Sequence, residues 1–369
     1  MRLLVLATLA VLMIPNAFAR PTLEEVRRQM GIPSAGDLRG QRDTVGYPAT
    51  AEAMAKAWEL SAQGPQPEPL GGSAKPGVIG VIGPHDDYIY SARVYARAFP
   101  LVTAKTVVIV GVFHGYRRFG EHDRLVFDPY RAWRSPDGEI AVSALRDELF
   151  DAMPRDMAVK DAASHDFEHS IEGIAYFLKH AQPAVEIVPV IVPVASFERL
   201  QALAVHLGDG LAAAMKRRGW QLGRDVAIVV STDGTHYGAD FKYEPYGAGG
   251  VEAFLQAMAH DRALVRDALS GPVDAAHARR FFSTVVDPDH PDRYRVPWCG
   301  RFSVTLGTLF VERTARALGL AKPRGVPLVL GVSVDTPELA VRDVGMGPTA
   351  PANLYHFVTH PAVAYVAGE

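Results

Sequence analysis

The chain has 369 residues but only one cysteine, Cys299, and no excess of charge of either sign. Because a disulfide needs two thiols, none can form within the chain. The 38 basic residues stand against 41 acidic ones, which gives a formal net charge of −3. This balance excludes the basic footprint of a nucleic-acid-binding protein. Beyond the first twenty residues no apolar run reaches the roughly 20 residues of a spanning helix, so no membrane span is predicted there.

Several motifs of familiar chemistry are also missing. The chain has no G-x-S-x-G nucleophile elbow, no P-loop, no H-E-x-x-H and no C-x-x-C. Gly80 and Gly83 follow a predicted strand but do not complete a dinucleotide fingerprint, so neither NAD nor ATP chemistry is supported. With 48% hydrophobic and 21% charged residues, the composition is that of a globular protein with ample material for a core.

The first 19 residues have the three parts of a secretory signal peptide. Arg2 supplies the positive charge, a short apolar run extends from Leu3 to Ile14, and Ala17-Phe18-Ala19 is a small-x-small cleavage pattern. An uncleaved anchor is the alternative, but the run is shorter than a spanning helix needs. We therefore expect cleavage after Ala19 and a periplasmic or secreted protein. In an oxidising compartment, the thiol of Cys299 should be buried, paired between chains or bound to a metal.

The rest of the chain divides into two parts. Residues 20 to 75 are predicted to form a helical lead-in and a Pro- and Gly-rich linker, and residues 76 to 369 one α/β domain. In this domain, continuous apolar strands alternate with helices, which indicates a mostly parallel central sheet with helices on both faces. Ala362–Val366 is a candidate late edge strand. The other predicted strands are Val78–Ile82, Thr106–Val110, Glu186–Val192, Val226–Val230 and Pro327–Val332. The predicted helices are Leu23–Met30, Ala51–Ser61, Ser91–Phe99, Ser143–Phe150, Ser170–His180, Phe197–Arg218, Val251–Leu269 and Val304–Leu318.

Three predicted strands are followed by histidine or aspartate. His85 comes after the first strand, His114 after the second, and Asp233 and His236 after the fourth. In α/β sheets, ligands collect outside the carboxyl ends of the strands. A single loop histidine carries little information, but the same pattern at three strand ends predicts a shared site. Imidazole is a ligand suited to zinc, copper, iron and nickel.

Two further segments contain candidate site residues. In the cluster from His165 to Glu172, Glu168 and Glu172 are spaced to share one helix face, either as first-turn acids that favour the helix dipole or as groups beside a metal. Cys299 lies in a turn-like segment just before a helix, where a thiolate is favoured. Arg301 would act in the same direction if it pointed towards the thiol.

Six blocks, in order, resemble the Memo family, known in prokaryotes as AmmeMemoRadiSam system protein B, which is similar in fold to class III extradiol ring-cleavage dioxygenases. The resemblance begins near Gly46-Tyr47 and extends almost to the C-terminus. Any one block is weak, but the ordered set is specific. The blocks are Gly83-Pro84-His85-Asp86-Asp87-Tyr88, Gly111-Val112-Phe113-His114, Glu168-His169-Ser170-Ile171-Glu172, Thr232-Asp233-Gly234-Thr235-His236-Tyr237-Gly238, Cys299-Gly300-Arg301 and Ala364-Tyr365-Val366-Ala367-Gly368.

The resemblance implies roles for most of these residues. His85, His114 and Cys299 match the family's metal ligands, Asp233 and His236 its pocket or acid/base residues, and Glu168, His169 and Glu172 become pocket candidates. Two features depart from the family pattern. Asp86 and Asp87 replace a small Ala-Gly pair, and they could bind the metal, bridge a second ion or, as we expect by default, face solvent. Phe113 replaces a small polar residue, which predicts a tighter and drier pocket.

The resemblance and the residues together leave three functions open. The first is a dioxygenase-like oxidoreductase that holds Fe(II) or copper, with zinc as a further option, and uses Asp233, His236, Glu168 and His169 in catalysis. The second is a non-catalytic copper- or iron-binding or redox-handling protein. The third is a peptide-binding scaffold that has retained the pocket. All three predict a small-molecule or peptide ligand at the metal pocket, and none requires a nucleic acid or a membrane.

Overall fold

A central sheet with helices on both faces dominates residues 20–72 and 78–368, which the computed structural model describes. The predicted signal peptide and the end of the predicted linker lie outside these residues. The strands are β1 Leu38–Arg39, β2 Glu68–Pro69, β3 Val78–Gly83, β4 Thr106–Val112, β5 Leu125–Phe127, β6 Ala132–Ser135, β7 Gly138–Val142, β8 Ala158–Lys160, β9 Glu186–Val192, β10 Val226–Ser231, β11 His236–Tyr237, β12 Gly271–Pro272, β13 Val286–Asp287, β14 His290–Tyr294, β15 Arg324–Val332 and β16 Phe357–Val366. The helices are α1 Leu23–Arg27, α2 Ala51–Ser61, α3 Tyr88–Ala98, α4 Tyr116–Phe119, α5 Leu145–Asp151, α6 Ala162–Phe167, α7 Glu172–Ala181, α8 Phe197–Arg218, α9 Val251–Leu264, α10 Ala275–Val285 and α11 Arg301–Ala317.

The sheet has the strand order β1-β6-β7-β9-β4-β10-β3-β16-β15-β12. Its central strands β9, β4, β10 and β3 run parallel to one another, while β16 pairs antiparallel with both β3 and β15. The predicted α/β class with a parallel centre is therefore confirmed. The carboxyl ends of the parallel strands lie along one edge, where this class of fold builds its sites.

Successive residues of each central strand enter different cores, which explains why the strands are apolar throughout. In β4, Val108 and Val110 pack into the core beneath α8 and α11, whereas Val107 and Ile109 pack into the core beneath α3 and α7. This alternation is the pleat of a strand that is covered on both faces. A strand of this kind has no solvent side and therefore no position for a polar residue until it ends.

Local sequence fixes the ends of several helices. The hydroxyl of Ser196 accepts a hydrogen bond from the backbone N–H of Arg199 at the start of α8, and Gly219, with a φ of 66°, ends this helix. A hydroxyl cap and a left-handed glycine are the usual signals at the two helix ends. The bounds of α8 and of α2 match the prediction, as expected for long amphipathic segments with clear caps.

Some predicted elements differ from the structure. Ala362–Val366 is not an edge strand, because it belongs to β16 and lies between β3 and β15 inside the sheet. The predicted helix Val251–Leu269 ends at Leu264 and continues as a π-helical turn. Part of the predicted linker, β2, pairs with β15 instead of remaining free. Among the described residues, no helix is both long and apolar enough to span a membrane.

Candidate metal centre

Three loops that follow parallel strands bring histidine and aspartate side chains together. His85 lies two residues beyond β3, His114 two residues beyond β4, and Asp233 two residues beyond β10. Because these strands run parallel and adjacent, their loops leave the sheet at the same edge. The structure brings these strand-end side chains together: the ring centroids of His85 and His114 are 5.3 Å apart.

The hydrogen bonds of His85 determine which nitrogen it offers to a ligand. Its Nδ1 lies 2.7 Å from the hydroxyl oxygen of Ser231, and that hydroxyl donates to the carbonyl of Ser170 at 2.6 Å. The Ser231 oxygen must therefore accept from Nδ1–H, which makes Nε2 the nitrogen that carries the lone pair. Burial and then His114 lower the pKa of His85 well below its ordinary value, so its ring is neutral.

Glu168 lies beside Nδ1 of His114 and of His169, as Ser231 lies beside Nδ1 of His85. Its carboxylate lies 2.9 Å from Nδ1 of His114 and 3.5 Å from Nδ1 of His169. The two rings stack with a centroid distance of 4.9 Å, and each keeps Nε2 on the side away from the carboxylate. Burial opposes ionisation of Glu168, but His114 outweighs it and lowers the pKa of the carboxyl below its usual range. Glu168 therefore acts as a fixed anion that orients two imidazoles.

Two sets of three side chains have ligand atoms that lie within 4.8 Å of one another in the described residues. We call His85, His114 and His169 the histidine group, and His85, Asp233 and Cys299 the thiol group. His85 is common to both. The ligand set predicted by resemblance is thus divided, because His114 and Cys299 belong to different groups. His169, predicted as a pocket residue, takes a ligand position in the histidine group.

The thiol group is held tightly by its own hydrogen bonds. The Cys299 sulfur lies 3.4 Å from Nε2 of His85 and accepts a hydrogen bond of 3.0 Å from the backbone N–H of Asp233. Asp233 in turn accepts from the backbone N–H groups of His85 and Asp86. Burial and then Asp233 raise the pKa of the Cys299 thiol well above its usual value, although Arg301 acts in the opposite direction. Burial and Asp233 therefore oppose the effect expected of the helix start, and the sequence expectation of a thiolate stays a prediction for the metal-bound site.

The glycine that follows Cys299 has a packing role. A Cβ atom on Gly300 would lie 2.3 Å from Cβ of Thr232, so only glycine allows the Cys299 turn to approach the loop that contains Asp233. Gly300 also caps α11, which begins at Arg301 as the sequence predicts within three residues. This contact fixes the thiol against the strand-end loops.

Comparisons with known proteins show which family the chain belongs to. Residues 44–304 match the family model described as Memo-like protein, which is more than half of the chain. The chain belongs to the Memo-like family. A MEMO1 family protein of Thermococcus kodakarensis is 29% identical over 218 residues, covering 57% of this chain and 68% of the relative. One from Archaeoglobus fulgidus is 31% identical over 162 residues (43% and 56%), and one from Thermococcus onnurineus 31% over 185 residues (48% and 59%). The Memo-like chain thus spans less than two thirds of the length of the latter two.

The two aspartates that depart from the family pattern do not behave alike. Asp87 is buried and accepts hydrogen bonds from the backbone and hydroxyl of Thr349, and burial followed by Asp86 raises its pKa. Asp86 is only 19% exposed and lies 2.7 Å from Nε2 of His360. The default expectation that both face solvent is therefore wrong. Neither belongs to a group that could hold a metal among the described residues.

Glu172 is not a pocket residue of this Memo-like domain. It is fully buried in an ion pair of 2.5 Å with Arg39, and it accepts hydrogen bonds from the backbone of Arg42 and Asp43. The predicted shared helix face with Glu168 is also wrong, because Glu168 lies in the extended break between α6 and α7. Glu172 instead holds residues 39–43 against the domain.

Two chambers meet at the site. The first has a volume of about 500 Å³. It is lined by His114 and His169, and by Arg42 and Asp43 of the N-terminal segment. The second has a volume of about 290 Å³ and is lined by Cys299 and by several aromatic residues, including the buried Phe113. His114, His236 and Phe241 line both. His236 directs Nδ1 to the carbonyls of Gly234 and Pro297, at 3.0 Å each, and so keeps Nε2 free.

Sequence reasoning missed Asp261 of α9. This fully buried carboxylate accepts from the backbone N–H of Thr235 at 3.1 Å, from the Thr235 hydroxyl at 2.6 Å, from the indole of Trp298 at 3.4 Å and from the Thr359 hydroxyl. It thereby joins the loop of His236, the turn of Cys299 and β16. In the sequence, Asp261 looks like any other acidic residue of a predicted helix, and no neighbouring residue indicates that it is buried.

Proposed function

We propose that this protein binds one transition-metal ion through Nε2 of His85, His114 and His169 and uses it in an oxidoreductase reaction on a small molecule. One observation carries the proposal. Each of the three imidazoles turns Nδ1 towards a fixed partner, Ser231 or Glu168, so that Nε2 is left to a ligand. This arrangement is the usual support for a metal-binding histidine.

The donor set fits such an ion. Imidazole nitrogens suit iron, copper and zinc, and three protein ligands leave coordination positions open, as catalytic sites require. Fe(II) and copper are the ions we favour, and zinc also fits. When bound, the ion supplies Lewis acidity and electron transfer to an oxygen-bearing substrate.

The chain's own residues have distinct tasks in this proposal. Glu168 holds the rings of His114 and His169 in place, and Asp233 holds the backbone of the His85 loop through two hydrogen bonds. His236 lies at the junction of both chambers with Nε2 free, so it is the residue placed to accept or return a proton. The first chamber has room for a small molecule or the end of a peptide.

A second function is favoured by a different observation. The Cys299 sulfur lies 3.4 Å from Nε2 of His85, and a thiolate is a ligand for soft ions such as Cu(I). A protein that binds copper or iron through the thiol group, without catalysis, would use the same central histidine. The two candidates therefore differ in whether the histidine group or the thiol group binds the ion.

Anaerobic metal titration tests both candidates. Chelator-treated protein is titrated separately with Fe(II), Cu(I) and Zn(II), and binding is followed by calorimetry and by absorption spectroscopy, in which the copper and iron complexes are examined for metal–thiolate transitions. We expect one ion per chain in the wild type and in His122→Ala, an exposed histidine control, and none in His85→Ala. Equal binding by wild type and His85→Ala would refute both. Oxygen uptake with a catechol or a thiol separates them, because an inert metal-loaded protein favours the second candidate.

We also propose that the protein is exported, as the pattern of Met1 to Ala19 predicts. Cell fractionation of the full chain, beside a variant that lacks these residues, tests this. Export predicts a mature N-terminus at Arg20 for the full chain and retention of the shortened one. An uncleaved protein in the cytoplasmic fraction would contradict the proposal.

A further inference from the structure

The second chamber contains a cation that has no anion to pair with. Arg301 makes no ion pair within the described part of the chain, and its Nε is buried without a hydrogen-bond partner. Within the described residues, its guanidinium donates one long hydrogen bond of 3.4 Å, from Nη1 to the carbonyl of Trp298, and the neutral hydroxyl of Tyr116 lies beside it. Buried polar groups are normally satisfied, and a guanidinium most of all, so the missing partner points to a ligand.

A second unsatisfied group lines the same chamber. The hydroxyl of Tyr116 is buried and makes no hydrogen bond of normal geometry with any residue that the structure describes. Together, Tyr116 and Arg301 offer an O–H donor and a fork of N–H donors. This combination matches a carboxylate, which accepts a bidentate bond from arginine and a further bond from a hydroxyl.

Much of the remaining wall is formed by aromatic and aliphatic side chains. The Arg301 guanidinium lies over the ring of Phe302, at 4.8 Å from its centroid. The other cation of the lining, Arg117, lies at the exposed rim and already contacts Asp292. The other aromatic residues that line the chamber are Phe113, Phe241 and Tyr294.

The size of the chamber limits what can enter. Its volume of about 290 Å³ lies at the lower end of the range for small-molecule pockets, about 300 to 1,000 Å³, which suits a single-ring molecule and not a folded peptide. An inorganic anion would leave the aromatic wall without contacts, and a neutral ring would leave Arg301 unpaired.

We propose that the second chamber binds a small aromatic carboxylate, with its carboxylate on Arg301 and Tyr116 and its ring against Phe113 and Phe302. His114 and His236 line the same chamber, so the opposite edge of the ring would face the metal centre. The inference names the substrate class of the site and in this respect rests on the proposed function. The binding step itself needs no metal.

Calorimetric titration of the chelator-treated full chain with sodium benzoate tests the inference. Benzyl alcohol removes the charge of the probe, acetate removes its ring, and inorganic phosphate is an anion without an apolar body. We expect benzoate to bind more tightly than all three. The variant Arg301→Gln should weaken benzoate binding roughly 10- to 100-fold, the range for a hydrogen bond to a charged group, and Tyr116→Phe about 3- to 10-fold. Neither should change the binding of benzyl alcohol.

The matched control is Arg313→Gln on the same helix, whose guanidinium pairs with Asp209 away from the chamber; it should bind benzoate as the wild type does. Equal benzoate affinity in Arg301→Gln and wild type overturns the inference, as does acetate or phosphate binding as tightly as benzoate. If Arg301→Gln fails to fold, Tyr116→Phe decides, because it loses only one oxygen. Benzoate binding without any metal binding would refute the proposed function alone, and metal binding without benzoate binding would refute this inference alone.

Discussion

The two sides of His85 are built differently. On one side, His114 and His169 face the larger chamber with 35% and 38% of their side chains exposed, and Glu168 orients both rings. On the other side, Asp233 is 5% exposed, and its backbone N–H donates to the Cys299 sulfur. The histidine group is open to the larger chamber, whereas the thiol group is closed by hydrogen bonds within the protein.

Because of this difference, we expect the two groups to bind different metal ions. An imidazole whose Nδ1–H is already engaged can accept an ion without moving, so the histidine group is preorganised. The Cys299 thiol has a raised pKa and must lose a proton before it can bind an ion. We therefore expect ordinary divalent ions to use the histidine group, and only an ion with a strong preference for sulfur to use the thiol group.

The largest effect should come from the residue that the two groups share. We predict that His85→Ala lowers the affinity for Zn(II), Fe(II) and Cu(I) by more than about 100-fold, because both groups lose a ligand. Competition with a chromogenic chelator measures these affinities, and His122→Ala serves as the control. If Cu(I) alone were retained, the thiol group would not depend on His85.

The second-largest effects should distinguish the histidine group from the thiol group. We predict that His114→Ala lowers the affinity for Zn(II) and Fe(II) about 100-fold, whereas Cys299→Ser lowers it less than about 10-fold. For Cu(I) the order should reverse, since a serine hydroxyl does not replace a soft ligand. The same competition assay is used for both variants. A larger loss of Zn(II) affinity in Cys299→Ser than in His114→Ala would invert the comparison.

A smaller effect should follow from removing the charge that orients the histidine group. In Glu168→Gln, the amide oxygen can still accept hydrogen bonds, but the anion beside His114 and His169 is lost. We predict a 10- to 100-fold fall in Zn(II) affinity, the usual range for a group that supports a metal ligand, and little change for Cu(I). Glu198→Gln, on the exposed surface, is the control. Unchanged Zn(II) affinity would show that His114 and His169 hold their orientation without Glu168.

The smallest effect on metal binding should come from Asp261. In Asp261→Asn, an NH₂ group replaces one carboxylate oxygen and faces a hydrogen-bond donor, so that buried donor loses its acceptor. We expect the free energy of unfolding to fall by about 1–3 kcal/mol, measured by thermal denaturation. Because Trp298 precedes Cys299, Cu(I) binding should fall a few-fold and Zn(II) binding should not change. A variant as stable as the wild type would contradict the joining role of Asp261.

The sequence is informative wherever a residue's role follows from its neighbours in the chain. The central strands, α2, α8 and the histidines after β3 and β4 were predictable because apolar runs, caps and strand ends are local signals. The failures have a common physical cause. Whether β16 lies inside the sheet, whether Glu172 pairs with Arg39, and whether Asp87 is buried depend on segments that are distant in sequence. The environment of Cys299 also depends on distant segments, because burial and Asp233 raise the pKa of its thiol.

The place of β16 has a consequence for how the protein reaches this structure. β3 is synthesised early and β16 late, yet β16 forms the antiparallel neighbour of β3 and brings Thr359 and His360 to the site. Until residues as far as Val366 are available, β3 presents a row of unpaired N–H and C=O groups at an open edge. Such distant pairing slows folding and exposes the growing chain to aggregation.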